Sequence, residues 1–397
     1  MKNWDNKWPI RSTKTTLIPD DSRISKLPDH ILHKILSSVD IKQAVQTSVL
    51  SKRWRRLCYT LPNLNFDFYT LLKKSDMDYH TLAWSGDHPD FMSHFERFVL
   101  QFLSQRDHTS ALDKFCLWTC RETTDSKFVE KCIEYAIDHG VRHIHLDAKC
   151  RPTPFRFPDH LFASRTLRVL KIKQHTNNSI VIPKPLLMPN LKTLYLDNFE
   201  FKDDTCNLYS FPTEPFSGFP NLEELTMFNC QVSAGDLIIR SKKLRFLEIS
   251  DQYRKGEMKI EEVSTPGLIS FRYEGEVSLV CKNMDLPCLE EVYYDYYPYL
   301  VNKMPANLVR MLQQLGNAKF VTTTFQTLEY GSCIGASSCE GKPGPVSVYE
   351  VFKGDNETTS LYESDNGDGA ADSDELLDKG LCLWGFTGGQ FLIESFS

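Results

Sequence analysis

A short apolar pattern recurs through the middle of the chain and limits the possible folds more than any other feature. The pattern is apolar-x-x-apolar-x-apolar, and most successive starts lie 21 to 31 residues apart. It begins at Leu112, Val141, Leu167, Leu191, Leu222, Leu244, Leu268, Leu289 and, more faintly, Phe325. A single unit cannot bury its apolar side chains, whereas a stack of units buries a continuous core. The sequence therefore predicts an irregular solenoid with parallel strands over residues 112–330, an α/β fold.

The positions of prolines and of one helical segment support the boundaries of these repeats. A proline stands two residues before the opening leucine in four units, at Pro189, Pro220, Pro266 and Pro287. Because proline fixes one backbone angle, its recurrence in register indicates a repeated start of a strand. Residues 126–140 carry apolar side chains at helical spacing and end on Gly140, which predicts a helix. Residues 198–220 lack such a pattern and are expected to form a loop.

Upstream of the repeats, residues 22–66 predict three short amphipathic helices. Ser25 can cap the first helix, and Pro28 lies just inside its start. The apolar stripe of that helix is Ile31, Leu32, Ile35, Leu36 and Val39. A shorter second helix follows, and Ser51 can cap the third. Because about 45 residues build only a small core, part of this apolar surface should face a partner or the rest of the chain.

These three helices resemble the F-box, and in particular that of the plant F-box/leucine-rich-repeat family. The resemblance is carried by 23–29, 31–32, 35–37 and 47–55, with one departure at Asp40, where many relatives have proline. It implies docking onto the small Skp-type adaptor of a cullin-RING ubiquitin ligase. The residues that match the family's docking and packing positions are Leu27, Pro28, Ile31, Leu32, Ile35, Leu36, Val49, Leu50 and Trp54. The solenoid region is similar to the leucine-rich repeats that follow the F-box in this family.

The residues alone leave other interpretations open for the same segment. An apolar stripe at helical spacing is also typical of a buried core. The basic residues Lys52, Arg53, Arg55 and Arg56 could form a nuclear-import or nucleic-acid patch. They could equally form the solvated face of the third helix, since four basic residues make a small electrostatic footprint for a nucleic acid.

The acidic excess lies at the C-terminal end. Net charge is −6, and residues 331–397 hold the excess together with 11 of the 19 glycines, so the rest of the chain is close to neutral. The charge balance gives no reason to expect nucleic-acid binding. Residues 363–378 are acidic and poor in apolar side chains, which predicts disorder. The tail 331–397 departs from the family pattern, and we interpret it as a truncated or alternatively spliced C-terminus.

The remaining segments indicate the cellular compartment and the domain organisation. No apolar run follows the N-terminal charges, and none reaches the roughly 18 to 20 residues of a membrane span. The 12 cysteines are scattered, which is typical of reduced thiols in the nucleus or cytoplasm. Residues 1–21 are expected to be disordered. Residues 67–111 are expected to be a linker and a capping helix, whose aromatic stripe would cover the first edge of the sheet.

No catalytic set, nucleotide motif or cofactor site is recognisable, and no metal site is expected. His143 and His145 alternate on one strand and could form a metal pair, but two lone histidines are more often surface residues. In each repeat the residues between the apolar positions point away from the core. Exposed aromatic and charged side chains there suit a recognition surface, although strand propensity alone also favours aromatics. The candidate target-binding residues are Tyr195, Phe228, Phe246, Arg272 and Tyr293.

The sequence therefore predicts a non-catalytic receptor: the substrate-recognition subunit of an SCF-type ubiquitin ligase. Its N-terminal helices would bind the Skp adaptor, and through it cullin, while its repeats would bind a target protein. Two alternatives remain: a repeat-based scaffold that joins no ligase, and a sensor that binds a small molecule in the concave face of the solenoid.

Overall fold

The computed structural model describes sixteen stretches of the chain, and these form two compact units, Met1–Asn178 and Ser179–Ser397. The described residues are 24, 26–72, 89–119, 124–148, 157–174, 187–201, 214–232, 236–251, 259–275, 279–296, 311, 314–316, 318–324, 348–352, 383–387 and 390–394. The predicted disorder of residues 1–21 and 363–378 lies outside them. Within these stretches, no helix is both long and apolar enough to span a bilayer.

The first unit consists of three short helices followed by a four-stranded parallel sheet with helical connections. Its helices are α1 Asp29–Ser37, α2 Ile41–Thr47, α3 Lys52–Cys58, α4 Phe68–Leu72, α5 Pro89–Gln105 and α6 Ser126–Asp138, with a 3-10 helix at Asp159–Ala163. Its strands are β1 Asn63–Asp67, β2 Lys114–Trp118, β3 His143–Ala148 and β4 Val169–Gln174. Each strand pairs in parallel with the next along the chain. This arrangement confirms an α/β fold with parallel strands.

Strand β1 is a repeat that the sequence analysis missed. Leu61, Leu64 and Phe66 follow the same apolar spacing as the later units and are at most 1 % exposed. The predicted capping helix, α5, connects β1 to β2 and packs on this repeat: the Phe66 ring lies 6.5 Å from that of Phe98 and 5.6 Å from that of Phe102, centroid to centroid. The expectation that α5 covers the first sheet edge is thus wrong, because β1 occupies that position.

Helix α6 forms where its apolar spacing predicts it. The Asp125 side chain accepts a hydrogen bond from the Lys127 amide (3.1 Å) and so caps the N-terminus. The buried face consists of Phe128, Val129, Cys132, Ile133 and Ala136. Gly140 follows the helix with φ +68°, a left-handed conformation that glycine adopts without steric cost. The helix therefore ends at Asp138 because glycine allows the chain to reverse towards β3.

Arg106 joins the three-helix region to the first strands. Its side chain is 1 % exposed. The guanidinium donates to the carbonyl oxygens of Leu61 (3.1 Å), Ser110 (2.8 Å) and Ala111 (2.9 Å). These carbonyls belong to the segments that lead into β1 and β2. One buried cation thus fixes the start of the sheet to the end of the helical region.

The second unit contains the remaining strands. These are β5 Thr193–Asp197, β6 Glu200–Phe201, β7 Glu224–Phe228, β8 Gln231–Val232, β9 Leu237–Arg240, β10 Phe246–Asp251, β11 Lys259–Ser264, β12 Ser270–Gly275, β13 Val280–Asp285, β14 Glu291–Tyr296, β15 Phe320–Thr324, β16 Val348–Phe352, β17 Leu383–Thr387 and β18 Gln390–Glu394. Strands β5, β7, β10, β12, β14 and β15 pair successively in parallel. β16 pairs antiparallel with β15, and β17 with β18.

The predicted repeats from Leu112 to Leu289 each supply one strand of the two units. The ninth predicted repeat, Phe325 to Tyr330, lies outside the described residues. Strand β15 instead follows the spacing Ala318, Val321 and Thr323, with Ala318 2 % and Thr323 4 % exposed. A small and a polar residue occupy core positions there, and the Thr323 hydroxyl is satisfied by the Tyr294 carbonyl oxygen (2.7 Å). An apolar pattern search therefore could not find this unit.

A second, smaller sheet was also missed. It has the order β13-β11-β9 with parallel pairing, and β6 pairs with β8 in the same way. Its exposed side chains form cross-strand ion pairs: Lys282 on β13 contacts Glu261 on β11 and Asp236, 2.8 Å away. The segments that form these strands were expected to be loops. Strands of two to six residues contain too few alternations of apolar and polar side chains to be recognised by their period.

Candidate protein-interaction surfaces

Helices α1, α2 and α3 form a small domain with identifiable caps. Ser51 accepts a hydrogen bond from the Trp54 amide (3.2 Å), which confirms its predicted role as the cap of α3. Asp40 accepts from the Gln43 amide (2.7 Å) and caps α2, which explains how the chain tolerates its departure from proline there. Pro28, not Ser25, is the N-cap residue of α1. Ser25 lies outside the described residues.

An ion pair ties the start of α1 to α3. Arg53 donates to one carboxylate oxygen of Asp29 through Nε (2.9 Å) and Nη2 (2.5 Å), and to the Leu27 carbonyl oxygen. The hydrogen bond from Arg53 lowers the pKa of the Asp29 carboxyl below its usual value. Part of the predicted basic patch is therefore used to hold this domain together rather than being available to a nucleic acid.

The apolar stripe of α1 is wider than the surface that the domain buries. Leu32 and Leu36 face inward, at 0 % and 2 % exposed, whereas Ile35 is 41 % and Val39 36 % exposed. Nine large hydrophobic side chains of the described residues are exposed, and five of them fall within residues 24–50. They are Ile24, Ile35, Val39, Val49 and Leu50. We call these five residues the apolar patch. Such a concentration on one small domain is typical of an interaction site.

The nine residues predicted for adaptor binding divide into two groups. Ile35, Val49, Leu50 and Pro28 are exposed, and Leu27 and Ile31 are half-buried. Leu32, Leu36 and Trp54, which were also predicted for adaptor binding, are 0 %, 2 % and 7 % exposed and form the core of the domain. They can support a docking surface only by packing beneath it and holding the exposed residues in place. The residues predicted for adaptor binding do not include Ile24 and Val39, although the four-residue step from Ile31 through Ile35 to Val39 indicates the latter.

The outer face of the repeat strands carries the second candidate surface. Side-chain burial alternates along the strands, so the residues between the apolar positions point outward, as predicted. Asp197 and Ser250 are exceptions: both were expected outward, but they are 1 % and 2 % exposed. Asp197 ends β5 beside Asn198, whose φ is positive (63°). Ser250 is the second-last residue of β10, and its carbonyl oxygen accepts a hydrogen bond from the Asn229 amide of the preceding repeat (2.7 Å). Neither position contributes to the exposed face.

Strand register places the outward residues of the second unit in two rows. The Phe246 row contains Thr193, Glu224, Phe246, Ser270, Glu291 and Phe320. The Arg272 row contains Tyr195, Thr226, Glu248, Arg272, Tyr293 and Thr322. Four of the five predicted target-binding residues lie in these rows; Phe228 lies one position further along β7 and is half-buried. The rows put aromatic and charged side chains next to one another on neighbouring strands.

Arg272 occupies a defined site on this face. Its guanidinium lies 4.0 Å from the centre of the Tyr293 ring. It also contacts the carboxylates of Glu248 (3.3 Å) and Glu274 (3.4 Å). Burial, followed by the nearby Asp295 carboxylate, raises the pKa of the Tyr293 hydroxyl. Tyr293 therefore stays neutral, and its ring is available as a platform for a cation.

The histidine pair of β3 lies on the outer face of the first unit. His145 pairs in register with Lys171, and His143 with Lys114. Burial, and then the charges of Lys114, Lys171 and His143, lowers the pKa of His145 to about 4. The described part of the chain shows no group of three side chains that could hold a metal ion.

This histidine makes the stability of the first unit depend on pH. The unfolded chain protonates His145 near its ordinary pKa of 6.5, whereas the folded chain protonates it only near 4. The stability that neutral His145 contributes should therefore be fully present above pH 6.5 and be lost as the pH falls towards 4. At this residue the unfolded chain binds at most one proton more than the folded chain. We expect His145→Gln to flatten this part of the stability curve in urea titrations between pH 4 and 7. The exposed His30→Gln is the control; an equal flattening in both variants would contradict the assignment.

Comparisons with known proteins agree with the fold and with the helical domain. The F-box domain profile matches residues 24–66. A putative F-box/LRR-repeat protein of Arabidopsis thaliana is 30 % identical over 348 residues, covering 78 % of this chain and 61 % of that protein. A second Arabidopsis F-box/LRR-repeat protein is 28 % identical, covering 77 % and 63 %. A third is 27 % identical and covers 81 % of both chains. The chain thus spans about three fifths of the length of the first two relatives.

Proposed function

We propose that this chain, which carries an F-box domain, is a substrate-recognition subunit of an SCF-type ubiquitin ligase. The proposal is supported by its similarity, over most of its length, to the F-box/LRR-repeat proteins of Arabidopsis. The F-box would dock a Skp-family adaptor, and through it cullin, while the repeats hold a target protein for ubiquitination and proteasomal degradation. The compartment that we propose is the nucleus or the cytoplasm, where such ligases meet their targets.

The apolar patch is the observation that carries this proposal. A small three-helix domain leaves five large aliphatic side chains exposed although the same helices bury Leu32, Leu36 and Trp54 well. These side chains are 36–53 % exposed, so a partner that buries one of them would gain roughly half of the 1.5–3 kcal/mol that a fully exposed side chain gives. The patch lies inside the segment that the F-box profile matches. An adaptor that covers it would provide the missing burial.

The proposed role requires no catalytic residue in this chain. In a ligase of this kind the other subunits perform the ubiquitin chemistry, and the receptor contributes proximity between the acceptor lysine and the activated ubiquitin. Holding two reactants in a suitable geometry can supply several kcal/mol of a reaction barrier, about 7–11 at best. The protein would therefore act through two binding surfaces, one for the adaptor and one for the target.

The test is a titration of the full chain with a plant Skp-type adaptor. We expect a one-to-one complex that survives gel filtration and is displaced by an excess of another F-box protein, because both would occupy the same adaptor site. A folded chain that forms no complex would refute the ligase role and leave the repeat-based scaffold as the alternative. A complex that persists in saturating competitor would show that binding does not use the F-box surface.

A further inference from the structure

We infer that the outer face of β7, β10, β12 and β14 binds a basic segment of the target protein, with lysine or arginine side chains held between carboxylates and aromatic rings. This inference rests on the proposed function, and it specifies the chemical class of the target. It depends on the Phe246 row and the Arg272 row, both within the second unit.

Charge on this face is one-sided. The outward positions of β7, β10, β12 and β14 carry one basic residue, Arg272, and five acidic residues. The acidic residues are Glu224, Glu248, Glu274, Glu291 and Asp295. The outward positions of β2, β3 and β4 in the first unit differ: they hold Lys114, Lys171 and Lys173 against one aspartate, Asp147. The acidity is therefore a local property of one face, and it favours a partner of opposite charge.

Basic residues in the turns along this face offset part of that charge. Lys192 pairs with Glu223 at 2.7 Å, and Lys319 pairs with Glu290 at 2.8 Å. Each of these lysines is thus paired with a glutamate in the turn before the neighbouring strand. The turn before β10 holds three more basic residues, Lys242, Lys243 and Arg245, and Lys243 contacts the Asn221 side chain. Within the two strand rows themselves, three carboxylates stand against one cation, Arg272.

Arg272 shows that this face can hold a guanidinium. It is bound by two carboxylates, Glu248 and Glu274, and stacks on the Tyr293 ring at 4.0 Å. An arginine from a partner would find an aromatic ring and a neighbouring carboxylate along the other row as well. There the Phe246 ring lies in register between Glu224 on β7 and Ser270 on β12.

Phe246 is the anchor of this second site. It is 47 % exposed although it stands near the middle of the sheet, with strands on both sides. Exposed aromatic side chains at the centre of a surface are frequent hot spots of binding. The aliphatic stem of a lysine or arginine can lie on the ring while its charged head reaches Glu224 or Glu291. An aromatic ring with a carboxylate on the neighbouring strand therefore favours a basic side chain over an acidic or purely apolar one.

The dimensions suit a short extended segment. Glu224 and Glu291 are three strand spacings apart, about 14 Å. An extended chain advances about 3.3 Å per residue, so roughly five residues cover this distance. A peptide of about ten residues that alternates arginine and leucine is thus long enough to serve as a probe.

The experiment measures binding of this fluorescein-labelled Arg/Leu peptide to the full chain by anisotropy, against a Glu/Leu peptide of equal length. We expect binding of the Arg/Leu peptide only. Phe246→Ser and the double variant Glu224→Gln/Glu291→Gln should each weaken it about tenfold, since they remove the ring or the charges. The double variant Glu134→Gln/Asp138→Asn removes two exposed charges from α6 and should leave binding unchanged.

Several results would overturn the inference: equal binding of the Glu/Leu peptide, no effect of Phe246→Ser, or an equal loss in the α6 variant, which would indicate non-specific attraction. Adaptor affinity of the same variants is measured in parallel. Absent peptide binding in a chain that still binds the adaptor defeats the basic-segment inference alone. Peptide binding in a chain that ignores the adaptor defeats the ligase role alone.

Discussion

Replacing Ile35 and Val49 with glutamate should abolish adaptor binding and leave the chain folded. The two side chains are 41 % and 51 % exposed, so the folded chain loses little by the change. In a complex, however, each glutamate would bring a charge into an apolar contact without a partner, which is costly. Loss of two anchors of this kind should weaken binding by at least about 100-fold. The dissociation constant of the adaptor complex, measured by calorimetry, gives the result.

The control for this prediction uses two apolar residues of similar exposure in the second unit. Phe246 and Leu187 are 47 % and 58 % exposed. The double variant Phe246→Glu/Leu187→Glu adds the same charge and should bind the adaptor like the wild type. Thermal unfolding of both variants confirms that each is folded. If Ile35→Glu/Val49→Glu binds normally, the apolar patch is not the docking surface.

Replacing Arg106 with methionine should destabilise the first unit by about 2–5 kcal/mol. Methionine fills much of the volume but leaves the carbonyl oxygens of Leu61, Ser110 and Ala111 without their donors. Each buried acceptor left unsatisfied costs roughly 1–3 kcal/mol. Removing a buried charge offsets part of that loss, because the guanidinium no longer has to be desolvated.

Hydrogen exchange is the appropriate measurement, because a chain of two units need not unfold in one step. Amides of β1 and β2 should lose protection in the Arg106→Met variant, whereas those of β12 in the second unit should keep it. Arg106→Lys should restore little, since a lysine cannot reproduce the fork of donors that contacts three carbonyls. Arg97→Met, at an exposed position of α5, the helix that ends just before Arg106, is the matched control. Unchanged protection in Arg106→Met would contradict the role assigned to this residue.

Sequence patterns predicted the parts of this fold in which local and tertiary preferences agree. The strands at Leu112 through Leu289 appear where a regular apolar spacing meets a stacked core. Helix α6 likewise forms where an amphipathic stripe ends on Gly140. In these places the residues that favour an element locally are also the ones that the fold buries.

The errors came from positions where a tertiary contact replaces the expected residue type. Thr323 occupies a core position because the Tyr294 carbonyl satisfies its hydroxyl, and no apolar pattern contains that information. Asp197 is buried because the turn at Asn198 folds over the strand end. Leu32 and Ile35 carry similar side chains three residues apart, and only the packing of α1 determines which one faces solvent. The candidate surfaces were therefore predictable as segments but not residue by residue.

The pairing of β1 with β2 shows that the N-terminal folding unit extends beyond the F-box match. The F-box match ends at residue 66, in the middle of a strand that already belongs to the repeat sheet. Cutting the chain there would strip β2 of its neighbour and expose Leu64 and Phe66, both at most 1 % exposed. The recognisable domain and the cooperative folding unit thus have different borders. A transplanted F-box from this chain should carry the first repeats with it, and exchange between family members should succeed more readily at a later connection than at the end of the motif.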